Sequence, residues 1–223
     1  MSWPEEIIFH FSDLFSYYEA HALKDGRIKT FVEKLKEFVE QMEYQPLHFF
    51  QISDNDNYCV LIFDTEQNGK SFDIVVKDLS SDKLMPVLIL NATDEVAFDQ
   101  HSGFYYSQVD ADGRGKKVFR HQLGSLQTQD VIIYEETNPD FHVSVSNTLS
   151  AEFVKVTIES SFKPRTNEVW LRNAKSKKDK FWLVQPMKMG VNYDIKHSGQ
   201  FLYKMSNEKD LKNYEITKIR LPS

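Results

Sequence analysis

Two hydrophobic periods divide the chain. Between residues 28 and 42 the apolar positions are Ile28, Phe31, Val32, Leu35, Phe38, Val39 and Met42. Steps of three and four put them on one stripe of a helix. Lys29, Glu33, Lys34, Lys36, Glu37 and Glu40 cover the other side, Gly26 precedes the stripe, and Pro46 bars its extension. The spacing predicts an amphipathic helix over 28–42 within an N-terminal segment 1–46. The aromatic-rich stretch 5–22 reads equally well as helical or extended.

From Leu47 onward the period changes. Phe72-Asp73-Ile74-Val75-Val76 and Val131-Ile132-Ile133-Tyr134 are β-branched runs, and turn residues punctuate the chain at 54–57, 101–103, 110–115 and 197–199. One unit recurs: a strand, a tight polar turn, a second strand, a looser turn and a third strand. Second strands start near Tyr58, Phe104, Phe153 and Phe201, which lie 46, 49 and 48 residues apart. Third strands end near Leu79, Leu123, Ala174 and Leu221, at intervals of 44, 51 and 47. Two independent landmarks recurring at this interval are the mark of propeller blades. A β-sandwich with irregular loops is the competing architecture.

A single blade cannot bury both faces of its sheet, so it stacks on the next. Val60, Ile62, Ile74 and Val76 are therefore expected between blades, as are Val154, Val156, Val169 and Leu171. The expected fold is all-β: a partial β-propeller of about four blades over 47–223, preceded by the helical segment. The blades are expected to form an arc rather than a closed ring.

Composition narrows the function classes. In 223 residues, 41% are hydrophobic and 13% aromatic, which is enough for a packed core and argues against disorder. The net charge of −6 does not suit a phosphate backbone, so no nucleic-acid partner is expected. No apolar run approaches the roughly 20 residues that span a bilayer, so no membrane partner is expected either. The acidic N-terminus lacks the features of a secretory signal, and Cys59 is the only cysteine. Both point to a reducing, cytoplasmic setting. In that setting the acceptor triplet Asn91-Ala92-Thr93 reads as chance.

Catalytic signatures are missing from these residues. A nucleophile elbow needs Gly-x-Ser-x-Gly, and none of the eight glycines brackets a serine at that spacing; Gly124-Ser125-Leu126 lacks the second glycine. His10, His21, His48, His101, His121, His142 and His197 are scattered, with no His-Glu-x-x-His. Asp110-Ala111-Asp112-Gly113-Arg114-Gly115 begins like a calcium loop. However, Arg114 holds the fifth position and His121 the twelfth, so a turn is expected. Gly113 to Lys117 lacks phosphate-loop spacing, and the basic run Lys175 to Lys180 reads as a solvated loop. No catalytic, cofactor-binding or metal-ligating residue is assigned, and no cofactor is expected.

A family resemblance rests on the order of several segments. Gly103-Phe104-Tyr105-Tyr106 is followed by Lys117-Val118-Phe119-Arg120-His121-Gln122-Leu123-Gly124, then by Val131-Ile132-Ile133-Tyr134-Glu135-Glu136. Phe141-His142-Val143-Ser144-Val145-Ser146 and Thr166-Asn167-Glu168-Val169-Trp170-Leu171 complete the series, and Lys77-Asp78-Leu79 precedes it. This order resembles the "FYT", "VYRHxLG", "VYEE", "F-V-V" and "TSEV" strands in the N-terminal β-propeller of the prolyl oligopeptidase family, oligopeptidase B in particular. Asn167 departs from the usual Ser, and residues 1–46 match poorly.

The resemblance implies a seven-bladed lid over an α/β-hydrolase domain that carries a Ser, an Asp and a His. The lid would admit only short peptides, and oligopeptidase B prefers to cut after basic residues. At His121 it implies a structural hydrogen bond. The function expected is the substrate-gating portion of such a serine peptidase, catalytically incomplete by itself. The alternative is a stand-alone protein-interaction module. The expected partners are peptide substrates, a C-terminal hydrolase portion, and copies of the chain meeting through exposed blade edges.

Overall fold

The computed structural model describes residues 47–64, 69–81, 83–177, 180–210 and 213–221. The helix expected over 28–42 and the rest of segment 1–46 lie outside them. Apart from one 3-10 turn, Gln127–Gln129, every described element is a strand.

The strands group into four blades. The first holds β1 (Leu47–Ile52), β2 (Tyr58–Phe63), β3 (Phe72–Asp78) and the first half of β4 (Lys83–Asp99). The second holds the rest of β4 with β5 (Gly103–Val109), β6 (Gly115–Gln122) and β7 (Val131–Glu135). The third is β8 (Phe141–Asn147), β9 (Phe153–Ser160), β10 (Asn167–Asn173) and β11 (Trp182–Gln185). The fourth has β12 (Tyr193–Ser198), β13 (Phe201–Asp210) and β14 (Asn213–Arg220). Within each sheet, strands follow chain order, and the pairings from β2 onward are antiparallel. Second strands begin at Tyr58, Gly103, Phe153 and Phe201, within a residue of the sequence landmarks. Third strands end at Asp78, Gln122, Asn173 and Arg220, one residue before theirs.

β4 is the one departure from a strand-per-run reading. Its 17 residues are the outer strand of the first blade and the inner strand of the second. Leu88 and Ile89 pair with β3, whereas Val96 to Asp99 pair with β5. The change of partner falls where Asn91 turns to a φ of 59°. A short polar side chain tolerates that left-handed region better than a bulky one. Just beside the bend, the Gln127 amide accepts from Leu90 N–H and donates to Leu90 C=O, at 3.2 and 3.0 Å. It supplies both bonds that a further strand would have made.

Alternation along the strands feeds three separate cores. Val60, Ile62, Ile74, Val76, Val96, Phe98, Phe104 and Tyr106 pack between the first and second blades. Ala97 and Tyr105 point the other way on the same two strands. They join Val143, Val145, Val154, Val156 and Ile158 between the second and third. Val169, Leu171, Tyr193, Ile195 and Leu202 form the core between the third and fourth. The eight residues expected between blades are all at most 2% exposed. Burying each such side chain contributes about 1.5–3 kcal/mol before chain entropy is set against it. Four blades and three cores make a face-to-face stack, the partial propeller expected from the periodicity.

Candidate functional site

The inner strands β1, β4, β8 and β12 border the axial side of the stack, where no further strand among the described residues completes the sheets. Backbone groups left unpaired there must find other partners. Asn147, ending β8, accepts from Phe98 N–H at 2.8 Å and donates to Phe98 C=O at 2.9 Å. Asn167 makes the same reciprocal pair with Tyr193, at 2.9 and 2.7 Å. Both bridges join neighbouring blades, so a carboxamide in place of a strand fixes the inner edge.

Charged side chains also line this side of the stack. On β4, alternation sends Asp94 to the same face as Val96 and Phe98, towards the first blade, and Glu95 to the opposite one. His48 on β1 meets Asp94, Nε2 to Oδ2, at 3.2 Å. Glu95 keeps contact with solvent. Its surrounding protein and the Asp94 carboxylate push its carboxyl above the usual value, against the pull of Lys155. Lys155 from β9 binds Asp194 at 3.0 Å, and Lys196 takes the other Asp194 oxygen at 3.1 Å. Burial works to raise the Asp194 carboxyl, but the two lysines together hold it below the usual range. A row of acidic and basic side chains thus runs from the second blade to the fourth, with His48 of the first blade beside its acidic end. It can hold a polar, charged chain by salt bridges and hydrogen bonds.

The structure brings together two fragments of hydrolytic chemistry but keeps them apart from each other. Ser150 Oγ lies 2.7 Å from His197 Nδ1. A working triad needs a carboxylate on the second ring nitrogen to orient the base. His197 Nε2 is buried without a partner, and the ring packs edge-on against Phe153 at 4.8 Å. Ser150 Oγ also contacts Thr148 Oγ1 at 3.0 Å and accepts from Glu152 N–H at 3.3 Å, which are the bonds of a turn. Elsewhere, His121 Nδ1 lies 2.7 Å from Asp130, with both side chains at most 1% exposed. Tyr106 donates its hydroxyl to the other Asp130 oxygen at 2.9 Å. Here the base has its acid, but no serine is within hydrogen-bonding distance of Nε2, which is buried and unpartnered. His121 therefore makes the structural hydrogen bond implied by the family resemblance.

The other sequence candidates resolve simply. The Asp110 carboxylate accepts from the N–H groups of Asp112 and Arg114 and pairs with the Arg114 guanidinium at 3.2 Å. The segment is a turn whose own arginine occupies the cation position. Among the described residues, no three His, Cys, Asp or Glu side chains cluster as metal ligands, and no helix is long and apolar enough to cross a membrane. Cys59 is buried, and burial pushes its thiol well up, which leaves little of the reactive thiolate. Sequence reading did not single out Asp94, Glu95, Lys155, Asp194 or Lys196. They share no motif, and only the fold brings their strands side by side.

Comparison with known proteins now decides the family. The sequence profile of the prolyl oligopeptidase N-terminal β-propeller domain matches residues 37–223. The chain belongs to this family. Protease 2 of Moraxella lacunata is 24% identical over 207 residues, which cover 91% of this chain and 29% of that protein. Dipeptidyl aminopeptidase BI of Pseudoxanthomonas mexicana is 23% identical over 176 residues, 78% of this chain and 24% of that protein. Oligopeptidase B from Leishmania major shares the fold with a TM-score of 0.72 at 21% identity, over 83% of this chain and 26% of its own. The chain thus spans less than a third of the length of these relatives. The propeller domain's axial row of charge is the feature that its fold places where blades converge.

Proposed function

We propose that this propeller domain is the substrate-selecting portion of a serine oligopeptidase similar to oligopeptidase B. The hydrolytic Ser, Asp and His would be supplied by polypeptide outside these 223 residues. The axial row from His48 through Asp94, Glu95, Lys155 and Asp194 to Lys196 carries this reading. Its acidic and basic side chains offer both acceptors and donors to a short peptide in transit. Most of it stands on the inner strands β1, β4 and β12, with Lys155 reaching it from β9, and that side is where a propeller can meter passage. The unassembled state of the Ser150–His197 and His121–Asp130 pairs supports a gating role over a catalytic one. Peptides and a hydrolase portion are the partners proposed, and the buried, unreactive Cys59 suits a cytoplasmic setting.

Sequencing the transcript across the codon for Ser223 tests the proposal. Further blades and a Gly-x-Ser-x-Gly segment in frame are expected. A stop codon there, with no second polypeptide that co-purifies and restores peptide hydrolysis, overturns it. In the active protein, Lys155→Glu is expected to alter kcat/KM for charged oligopeptides and to leave a single-residue ester unchanged.

A further inference from the structure

A cavity lies away from the axial edge, between the outer parts of the second and third blades. It is open to solvent on one side and has a volume of about 480 Å³, within the roughly 300–1,000 Å³ range of small-molecule sites. Its walls are Tyr105, Ile133 and Tyr134 from the second blade, Val156 and Trp170 from the third, and Phe181 just before β11. Phe181 stands edge-on to Tyr105, with centroids 5.6 Å apart and ring planes at 89°. The walls are fixed rather than collapsible: Trp170 Nε1 donates to Glu168 at 2.9 Å, and the Tyr134 hydroxyl donates to Glu136 at 2.9 Å.

Two cations share this apolar lining. The Arg172 guanidinium, on a residue only 8% exposed, lies 5.9 Å over the Tyr105 ring and donates to Ser176 C=O at 2.6 Å. Lys180 also lines the cavity and is exposed to solvent. It is the last residue of the basic run in the sequence, which the axial site leaves without a role. Inside a low-dielectric wall, a positive charge attracts an anion far more strongly than in water. The Glu136 and Glu168 carboxylates sit on the Tyr134 and Trp170 side and oppose a second negative charge.

We propose that this cavity is a binding site for a small amphipathic monocarboxylate, with an aryl or alkyl body against the aromatic walls and its carboxylate on Arg172 and Lys180. The site is independent of the axial row and of the gating role. Its ligand would sit between two blades and bias how they pack.

Calorimetric titration of the purified chain with phenylbutyrate, phenylbutyramide and a phenyl dicarboxylate tests this. The monocarboxylate is expected to bind about tenfold more tightly than the amide and than the dicarboxylate, a difference of about 1.4 kcal/mol. Lys180→Gln, at an exposed position where a melting curve can verify folding, is expected to weaken the monocarboxylate several-fold and leave the amide unchanged. The indole NH resonance of Trp170 is expected to shift on binding. Equal affinity for acid and amide, an unchanged Kd in Lys180→Gln, or a Trp170 resonance that stays put at millimolar ligand overturns the proposal.

Discussion

β10 and β14 are both third strands of their repeat units, and both carry alternating apolar residues, yet they meet opposite fates. In β10, Val169 and Leu171 are at most 1% exposed. In β14, Ile216 is 72% and Tyr214 51% exposed, and Met205, the β13 partner of Ile216, is 45% exposed. One residue type therefore does not decide burial here; the presence of the next blade does. Ile219, on the opposite face of β14, packs onto the cluster that contains Leu171. The fourth blade is thus buried on one face and open on the other. Part of the open face is screened by Lys218, whose ammonium lies 3.7 Å from the Phe201 ring centre.

Substitutions at buried and open positions should separate in size accordingly. The largest effect is expected from Asp130→Ala, which leaves His121 and the Tyr106 hydroxyl buried without their partner. Breaking a buried pair in this way costs about 3–5 kcal/mol, measurable by urea unfolding. Leu171→Ala opens a cavity between the third and fourth blades and is expected to cost about 2–5 kcal/mol. Gly115→Ala comes next, because a Cβ there would stand 2.2 Å from the Val143 carbonyl across the blade boundary. Overpacking of that kind costs about 1–3 kcal/mol.

Acid sensitivity probes the same interior. Burial would raise the Asp99 carboxyl, but the N–H groups of Ser102 and His101 and the Arg120 guanidinium at 2.6 Å outweigh it and hold it low. A carboxyl with a lowered folded value stabilises the protein above its unfolded pKa. That stabilisation is lost as pH falls through the folded value. Asp99→Asn is therefore expected to lower the melting temperature at neutral pH and to flatten its decline in acid. Glu95 carries the reverse sign, because its folded value is raised. Its ionisation costs stability as pH rises, so Glu95→Gln is expected to raise the melting temperature slightly at pH 7 and not in acid. The smallest effect belongs to the open face: Ile216→Ala is expected to fall within about 0.5 kcal/mol of the parent.

Much of this architecture was legible in the chain. The tight turns before Tyr58, Phe104 and Phe153 betray themselves by Ser53, Asp99 and Thr148, whose side-chain oxygens accept from backbone N–H groups across each turn. That local chemistry fixes where the second strands start, and the spacing of those starts is what made the repeat countable. β4 was not legible as one strand, because Pro86 and Asn91 look like breaks. Its outer half tolerates a proline where the β3 pairing is already irregular, between Val75 and Lys77. The β-branched run Val131-Ile132 reads as a strand but carries no sign of its place in the blade; it forms the outer one, at 59% and 51% exposure, since alternation says nothing about which strand ends outermost. The axial charges and the Arg172–Lys180 cavity were invisible for a shared reason. Each is assembled from strands of different blades, tens of residues apart.

Whether hydrolysis needs residues outside this chain is decided by assaying the purified 223-residue chain on a fluorogenic arginyl peptide. No turnover above buffer is expected, and no change on Ser150→Ala or on adding a serine-directed inhibitor. Turnover that the inhibitor or Ser150→Ala abolishes would contradict it, because Ser150 and His197 would then form a working site without a carboxylate.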